Sequence, residues 1–74
     1  DGDWVVIKRC NTARNGQIVV ALIDRHEATL KRIKFIGNDV LRLIPENSDM
    51  QPIDYTPGRV EVQGILVGQF RKYD

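Results

Sequence analysis

Cysteine, net charge and long apolar runs are all nearly missing from this 74-residue sequence. The single Cys10 excludes an internal disulfide and fits a reducing compartment. Lys plus Arg exceed Asp plus Glu by only one, so no field favours wrapping a phosphate backbone. No apolar run approaches the roughly 20 residues of a membrane helix, and no signal-peptide pattern is present. Histidine and serine occur once each, as His26 and Ser48. Cys10 and His26 are too few for a zinc site, and no third group orients them as a thiol pair. Ser48 sits in the polar run Pro45-Glu46-Asn47-Ser48-Asp49 without a neighbouring base and reads as a turn residue. There is no helical periodicity and no internal repeat.

What is present is strand after strand, within one small domain spanning residues 1–74. Trp4 to Arg9 is a first strand, followed by a polar turn ending in Asn15-Gly16, which tolerates positive φ. Gln17 to Ile23 is apolar on both faces and reads as a central, covered strand. A third strand starts at Glu27 and runs to Ile36. Gly37-Asn38 joins it, as a two-residue hairpin, to a strand from Asp39 that Pro45 ends. Pro45 to Gly58 holds all three prolines and reads as irregular. Arg59 to Arg71 is a long last strand. Strict alternation puts Val60, Val62, Leu66 and Phe70 on one face, and Gly64 and Gly68 mark a bend, a bulge or a close backbone approach. Ile65 and Val67 then make the opposite face apolar, either beneath another part of the domain or at a subunit contact. The fold class is all-β.

Lys31 stands out. Alternation puts it on the same face as Thr29, Ile33 and Phe35, whereas Arg32 and Lys34 share the other face with Leu30. An ordinary lysine, with a pKa of about 10.4, is neutral in fewer than roughly one molecule in a thousand at pH 7. Removal from water disfavours the cation, and a neutral amine beside a nucleophile is a general base. Two readings stand side by side: a base poised on an apolar wall, or a lysine whose stem covers apolar surface while its head reaches water or a carboxylate. Thr29, two residues away on the same face, either hydrogen-bonds that amine or serves as a β-branched strand former.

Five blocks in this order carry a family resemblance: Asp1-Gly2-Asp3, Arg14 to Ala21, Ala28-Thr29-Leu30-Lys31-Arg32, Leu43 to Ser48, and Val62 to Gly68. Together they resemble the C-terminal half of the self-cleaving domain of the LexA/UmuD family, which shares its fold with signal peptidases. The Pro-Glu-Asn-Ser segment and the Gly-Ile-Leu-Val-Gly ending favour the LexA-type branch. The resemblance implies a serine endopeptidase with a Ser–Lys dyad, with Lys31 matching the catalytic lysine and Thr29 supporting it. No metal or organic cofactor is implied, because Ser and Lys suffice for amide hydrolysis. Also implied are a cytoplasmic SOS-response repressor, a homodimer formed partly through Ile65 and Val67 of the last strand, stimulation by a RecA filament, and operator DNA bound by a separate N-terminal domain. No membrane partner is implied.

The chain opens on Asp1 rather than Met, with a strand beginning at once, as expected of a cut inside a larger domain. By resemblance the serine nucleophile and the cleavage site lie upstream of Asp1. The rival reading is a non-catalytic small β-barrel or sandwich that pairs through its last strand, with Lys31 merely snorkelling. The dyad reading predicts that these 74 residues alone have no peptidase activity. Time-dependent serine-protease chemistry in the isolated chain, abolished by Ser48→Ala, would overturn it.

Overall fold

A computed structural model describes residues 3–71 as six strands: β1 (Asp3–Arg9), β2 (Ile18–Ile23), β3 (Glu27–Ile36), β4 (Val40–Ile44), β5 (Ile53–Tyr55) and β6 (Val60–Arg71). They form one antiparallel sheet in the order β1-β6-β2-β3-β4-β5. The sheet is open, with β1 and β5 at its edges, so the described residues close neither a barrel nor a sandwich. The all-β expectation holds. β2 lies between β6 and β3, as its two apolar faces required.

The core follows from strand phase. Val19, Ala21 and Ile23 of β2, Ile33 of β3, and Leu41 and Leu43 of β4 are buried and share one face. Ala13, Tyr55, Val60, Val62 and Ile65 pack against them. Each fully buried Val or Ile side chain contributes about 1.5–3 kcal/mol, so six small contributions carry a sheet this size only narrowly.

β1 and β2 do not pair with each other, because β6 inserts between them. The polar turn after β1 instead runs along β3: Gly16 N donates to Ile33 O at 2.9 Å, and Phe35 N donates to Asn15 Oδ1 at 2.7 Å. The β3–β4 hairpin has three residues rather than two, since Ile36 pairs with Val40, and Gly37 takes a φ of 60°. Part of the stretch read as irregular is ordered as β5 and a short 3-10 turn, Pro57–Arg59. Arg42 holds β5 by donating twice to the Asp54 carboxylate, at 2.7 and 3.0 Å.

The β2–β3 turn is closed by His26 N donating to Ile23 O at 3.0 Å. It places Asp24 and Arg25 at φ of 51° and 63°, a region costly for side chains. Asp24 is held from outside the turn by the guanidinium of Arg59, which also lies 5.1 Å from the Tyr55 ring centroid. The hydrogen bond from Arg59 holds the Asp24 carboxyl below the usual carboxylate range, as that from Arg42 does for Asp54.

Both glycines of β6 sit at register breaks. Against β2, Ala21 pairs with Val62 but Val20 with Gly64, which leaves Gln63 as an extra residue. Against β1, Ile7 pairs with Leu66 but Val6 with Gly68, which leaves Val67 extra. Each bulge reverses the phase of the strand beyond it. Ile65, rather than Leu66, therefore faces Val19 and joins Val60 and Val62 on the core side. A Cβ on Gly64 would lie 2.5 Å from Ile7 Cγ2 and 3.0 Å from the Lys8 carbonyl oxygen. Gly64→Ala is accordingly expected to destabilise the fold by about 1–3 kcal/mol, read from the shift in a chemical-denaturation midpoint. An unchanged midpoint would mean that β1 moves aside freely.

Candidate active site

Lys31 is set by the pairing of β3 with β2, in which it lies opposite Val19 and Thr29 lies opposite Ala21. Both partners are fully buried, so the alternation read from the sequence holds: Lys31 and Thr29 project from the core-bearing face. Lys31 lies just past the end of the β3–β4 ladder, whose last pair is Arg32 with Ile44. Its side chain is therefore half-buried rather than sealed under the next strand.

The amine has one close partner. Lys31 Nζ donates to Thr29 Oγ1 at 2.8 Å, while the Leu30 carbonyl oxygen stands 3.5 Å away, at the limit of a hydrogen bond. No described carboxylate lies within ion-pairing distance of Lys31; among the described residues the ion pairs join Arg32 to Glu46, Arg42 to Asp54 and Arg59 to Asp24. Thr29 thus fixes one N–H of the amine and leaves the rest of the nitrogen facing open space.

That space is a cavity of about 170 Å³. Ile23, Leu43, Pro45, Ile53 and Tyr55 supply its apolar walls, Met50 and Gln51 close one side, and Glu27, Thr29 and Lys31 supply the polar side. The wall differs from the one expected from β3 alone. Phe35, two pleats along, is 38% exposed and does not line this cavity. The apolar surroundings of Lys31 come from Ile23 at the end of β2, from β4 and β5, and from the loop between those two. Sequence reasoning missed Ile53 and Tyr55 because a three-residue strand between prolines has too few positions to show a period, and Met50 because it lies in the irregular loop before that strand. The alternation of Leu41 and Leu43 was the signal that could have placed Leu43 in the wall.

Arg32, on the other face, ties that loop to the sheet. Its guanidinium donates to the Gly16 carbonyl and, at 2.8 Å, to Glu46 Oε1. Ser48 is exposed in a turn in which Asp49 N donates to Asn47 Oδ1 at 3.0 Å and Met50 N to Asn47 O at 3.1 Å. It does not line the cavity. Cys10 Sγ contacts Thr12 O at 3.4 Å beyond the end of β1, and His26 lies in the β2–β3 turn, so the two are not brought together.

A family model described as Peptidase S24-like matches residues 1–67. The chain belongs to the Peptidase S24-like family. Its similar relatives are named LexA repressor. One from Koribacter versatilis (strain Ellin345) is 53% identical over 73 residues, covering 99% of this chain and 34% of the relative. Those from Pelagibacter ubique (strain HTCC1062) and Clostridium novyi (strain NT) are each 51% identical over 73 residues, again 99% of this chain, and 32% and 35% of the relatives. The chain spans about a third of the length of the curated relatives it matches.

Within this S24-like sheet, Ile65 and Val67 part company. Ile65 is half-buried against the core, whereas Val67 is the extra residue of a bulge and 55% exposed. Ile65→Lys is thus expected to cost about 1–3 kcal/mol of folding stability whatever it does to association. Val67→Lys should change stability by less than about 0.5 kcal/mol and report on association alone. Denaturation midpoints together with sedimentation of the intact protein check both. Equal loss of stability in the two variants would contradict this placement.

Proposed function

We propose that residues 1–74 form the C-terminal portion of the autopeptidase and dimerisation domain of a LexA-type repressor, with Lys31 as the general base of a Ser–Lys dyad. In this reading the nucleophilic serine comes from the protein upstream of Asp1. The full protein binds operator DNA through a separate N-terminal domain, and a RecA filament stimulates its self-cleavage in the SOS response. The observation that carries the reading is an amine on the core face with Thr29 Oγ1 at 2.8 Å and an apolar cavity beside it.

The chemistry uses few parts. The neutral Lys31 amine takes the serine proton as Oγ adds to the scissile carbonyl carbon. When the resulting tetrahedral intermediate collapses, the C–N bond breaks and Lys31 returns the proton to the leaving nitrogen. Water then hydrolyses the acyl ester, with Lys31 again serving as base, and the serine is regenerated. Thr29 acts through Lys31: by accepting one N–H it orients the lone pair of the nitrogen.

In the intact protein, Lys31→Ala should abolish both RecA-stimulated and alkaline self-cleavage and leave operator binding unchanged. Thr29→Val, which removes the acceptor at similar volume, should slow cleavage about two- to tenfold, the effect of one lost hydrogen bond, and Thr29→Ser should restore most of the rate. Cleavage of Lys31→Ala at the parental rate would refute the assignment of the base.

A further inference from the structure

We propose that Arg59 is a positioning residue for self-cleavage: clamped on the Asp24 carboxylate and laid against the Tyr55 ring, it holds the end of β5 in place beside the Lys31 amine. This rests on the reading of Lys31 as general base. β5 has only three residues, and among the described residues it pairs with β4 alone. Its last residue, Tyr55, packs on the core and shares a cavity with Lys31 and Thr29. So short an edge strand opens at low cost unless side chains tie it down. Arg42 ties its middle, at Asp54, to β4. Arg59 ties its end to a different part of the sheet.

Beyond Tyr55 the chain must pass β4, β3 and β2 to enter β6, where Val60 pairs with Ile23. The 3-10 turn Pro57–Arg59 lies in this connection, so it reaches only about 13 Å, against about 19 Å for four strand spacings of a flat sheet. The sheet is therefore curled at this end, and Arg59 holds the curl. Asp24 N donates to Arg59 O at 2.8 Å, Arg59 Nε donates to Asp24 Oδ1 at 2.8 Å, and a second guanidinium N–H donates to Asp24 Oδ2. A bidentate pair fixes the plane of the guanidinium as well as its place, and that plane lies 5.1 Å from the Tyr55 ring centroid. Both side chains are about half exposed, so the ion pair adds little stability of its own. Its consequence is geometric: the β2–β3 turn, from which β3 runs to Thr29 and Lys31, is joined to the ring that shares their cavity. With Arg59 released, Tyr55 keeps only its place on β4 and water reaches the amine from that side. A better-hydrated amine holds its proton more firmly, and the base then needs a higher pH to act.

The test uses the intact protein and the rate of its self-cleavage against pH. Arg59→Met keeps the length of the side chain and removes the charge; Asp24→Asn keeps a residue suited to the left-handed turn and removes the carboxylate. Each should slow cleavage about three- to tenfold near pH 7, move the rising limb of the profile upward by about half a unit to one unit, and leave the alkaline plateau within about twofold of the parent. Direct electrostatics predicts opposite shifts, since loss of a cation favours the Lys31 ammonium and loss of an anion disfavours it. The double variant should be no slower than either single one, and Arg59→Lys, which keeps a cation beside Tyr55, should recover part of the rate. Glu27 and Tyr55 are the other titratable groups lining the cavity, and the shift should persist in Glu27→Gln and Tyr55→Phe backgrounds. Shifts of opposite sign, a parental profile in both variants, or a slowing equal at every pH would overturn the proposal. Lys31→Ala separates the two levels. If it is inactive while Arg59→Met and Asp24→Asn follow the parental profile, only the positioning role fails; if it cleaves normally, the base assignment itself fails.

Discussion

The pairing of Val19 with Lys31 is the constraint on which the rest of this sheet depends. Val19 is fully buried, and a slip of one residue between β2 and β3 would turn it, with Ala21 and Ile23, out of the core. The same register fixes Lys31 on the buried face, beside a hydroxyl two residues away and beyond the last rung of β4. A lysine that obeyed only its solvation would stand with Arg32 and Lys34. Register energy distributed over six core side chains outweighs the local preference of one ammonium, and the end of the β3–β4 ladder moderates the conflict by leaving the side chain half-buried. Position along the strand therefore matters as much as face: one pleat further on, at Ile33, the neighbour is Leu43 and exposure is nil.

How much of this was legible in the sequence depends on element length. The ten residues of β3 gave their alternation unambiguously, and β2 announced its central place by being apolar on both sides. β6 was harder. Its twelve residues read as one continuous alternation, which places Leu66 on the core side, whereas the bulge at Gln63 puts Ile65 there instead. Gly64 and Gly68 did signal irregularity, but a glycine does not say which neighbour is the extra residue. The insertion of β6 between β1 and β2 is non-local and left no local trace. β5 was invisible because three residues held by the Arg42–Asp54 pair need no periodic pattern of their own.

The same division applies to the candidate site. Lys31 and Thr29 were found because strand phase alone brings them together. The cavity was not found, because its walls come from three separate stretches that meet only after β4 and β5 pair. Conversely, Cys10, His26 and Ser48 carry reactive side chains that the fold keeps apart from the cavity. Residue type singled them out, and position removes them.

The exposed apolar residues sharpen this picture. Among the described residues, ten large apolar side chains are left substantially open; six belong to β1 and the adjoining end of β6, and two, Met50 and Ile53, border the Lys31 cavity. A sheet that exposed such groups at random would scatter them singly. Here eight of the ten fall into one edge region and one rim, with Leu30 and Phe35 of β3 standing apart. Bulges explain the first concentration, since the shift at Val67 sends apolar residues of β6 to both faces beside Trp4, Val5, Val6 and Ile7. The second arises from the loop between β4 and β5, which Arg32 anchors at Glu46 and the Asn47 turn reverses, so that Met50 comes back over the end of the sheet where Lys31 stands. The polar face of β3 thus holds the loop whose apolar residues shape the surroundings of the lysine on the opposite face.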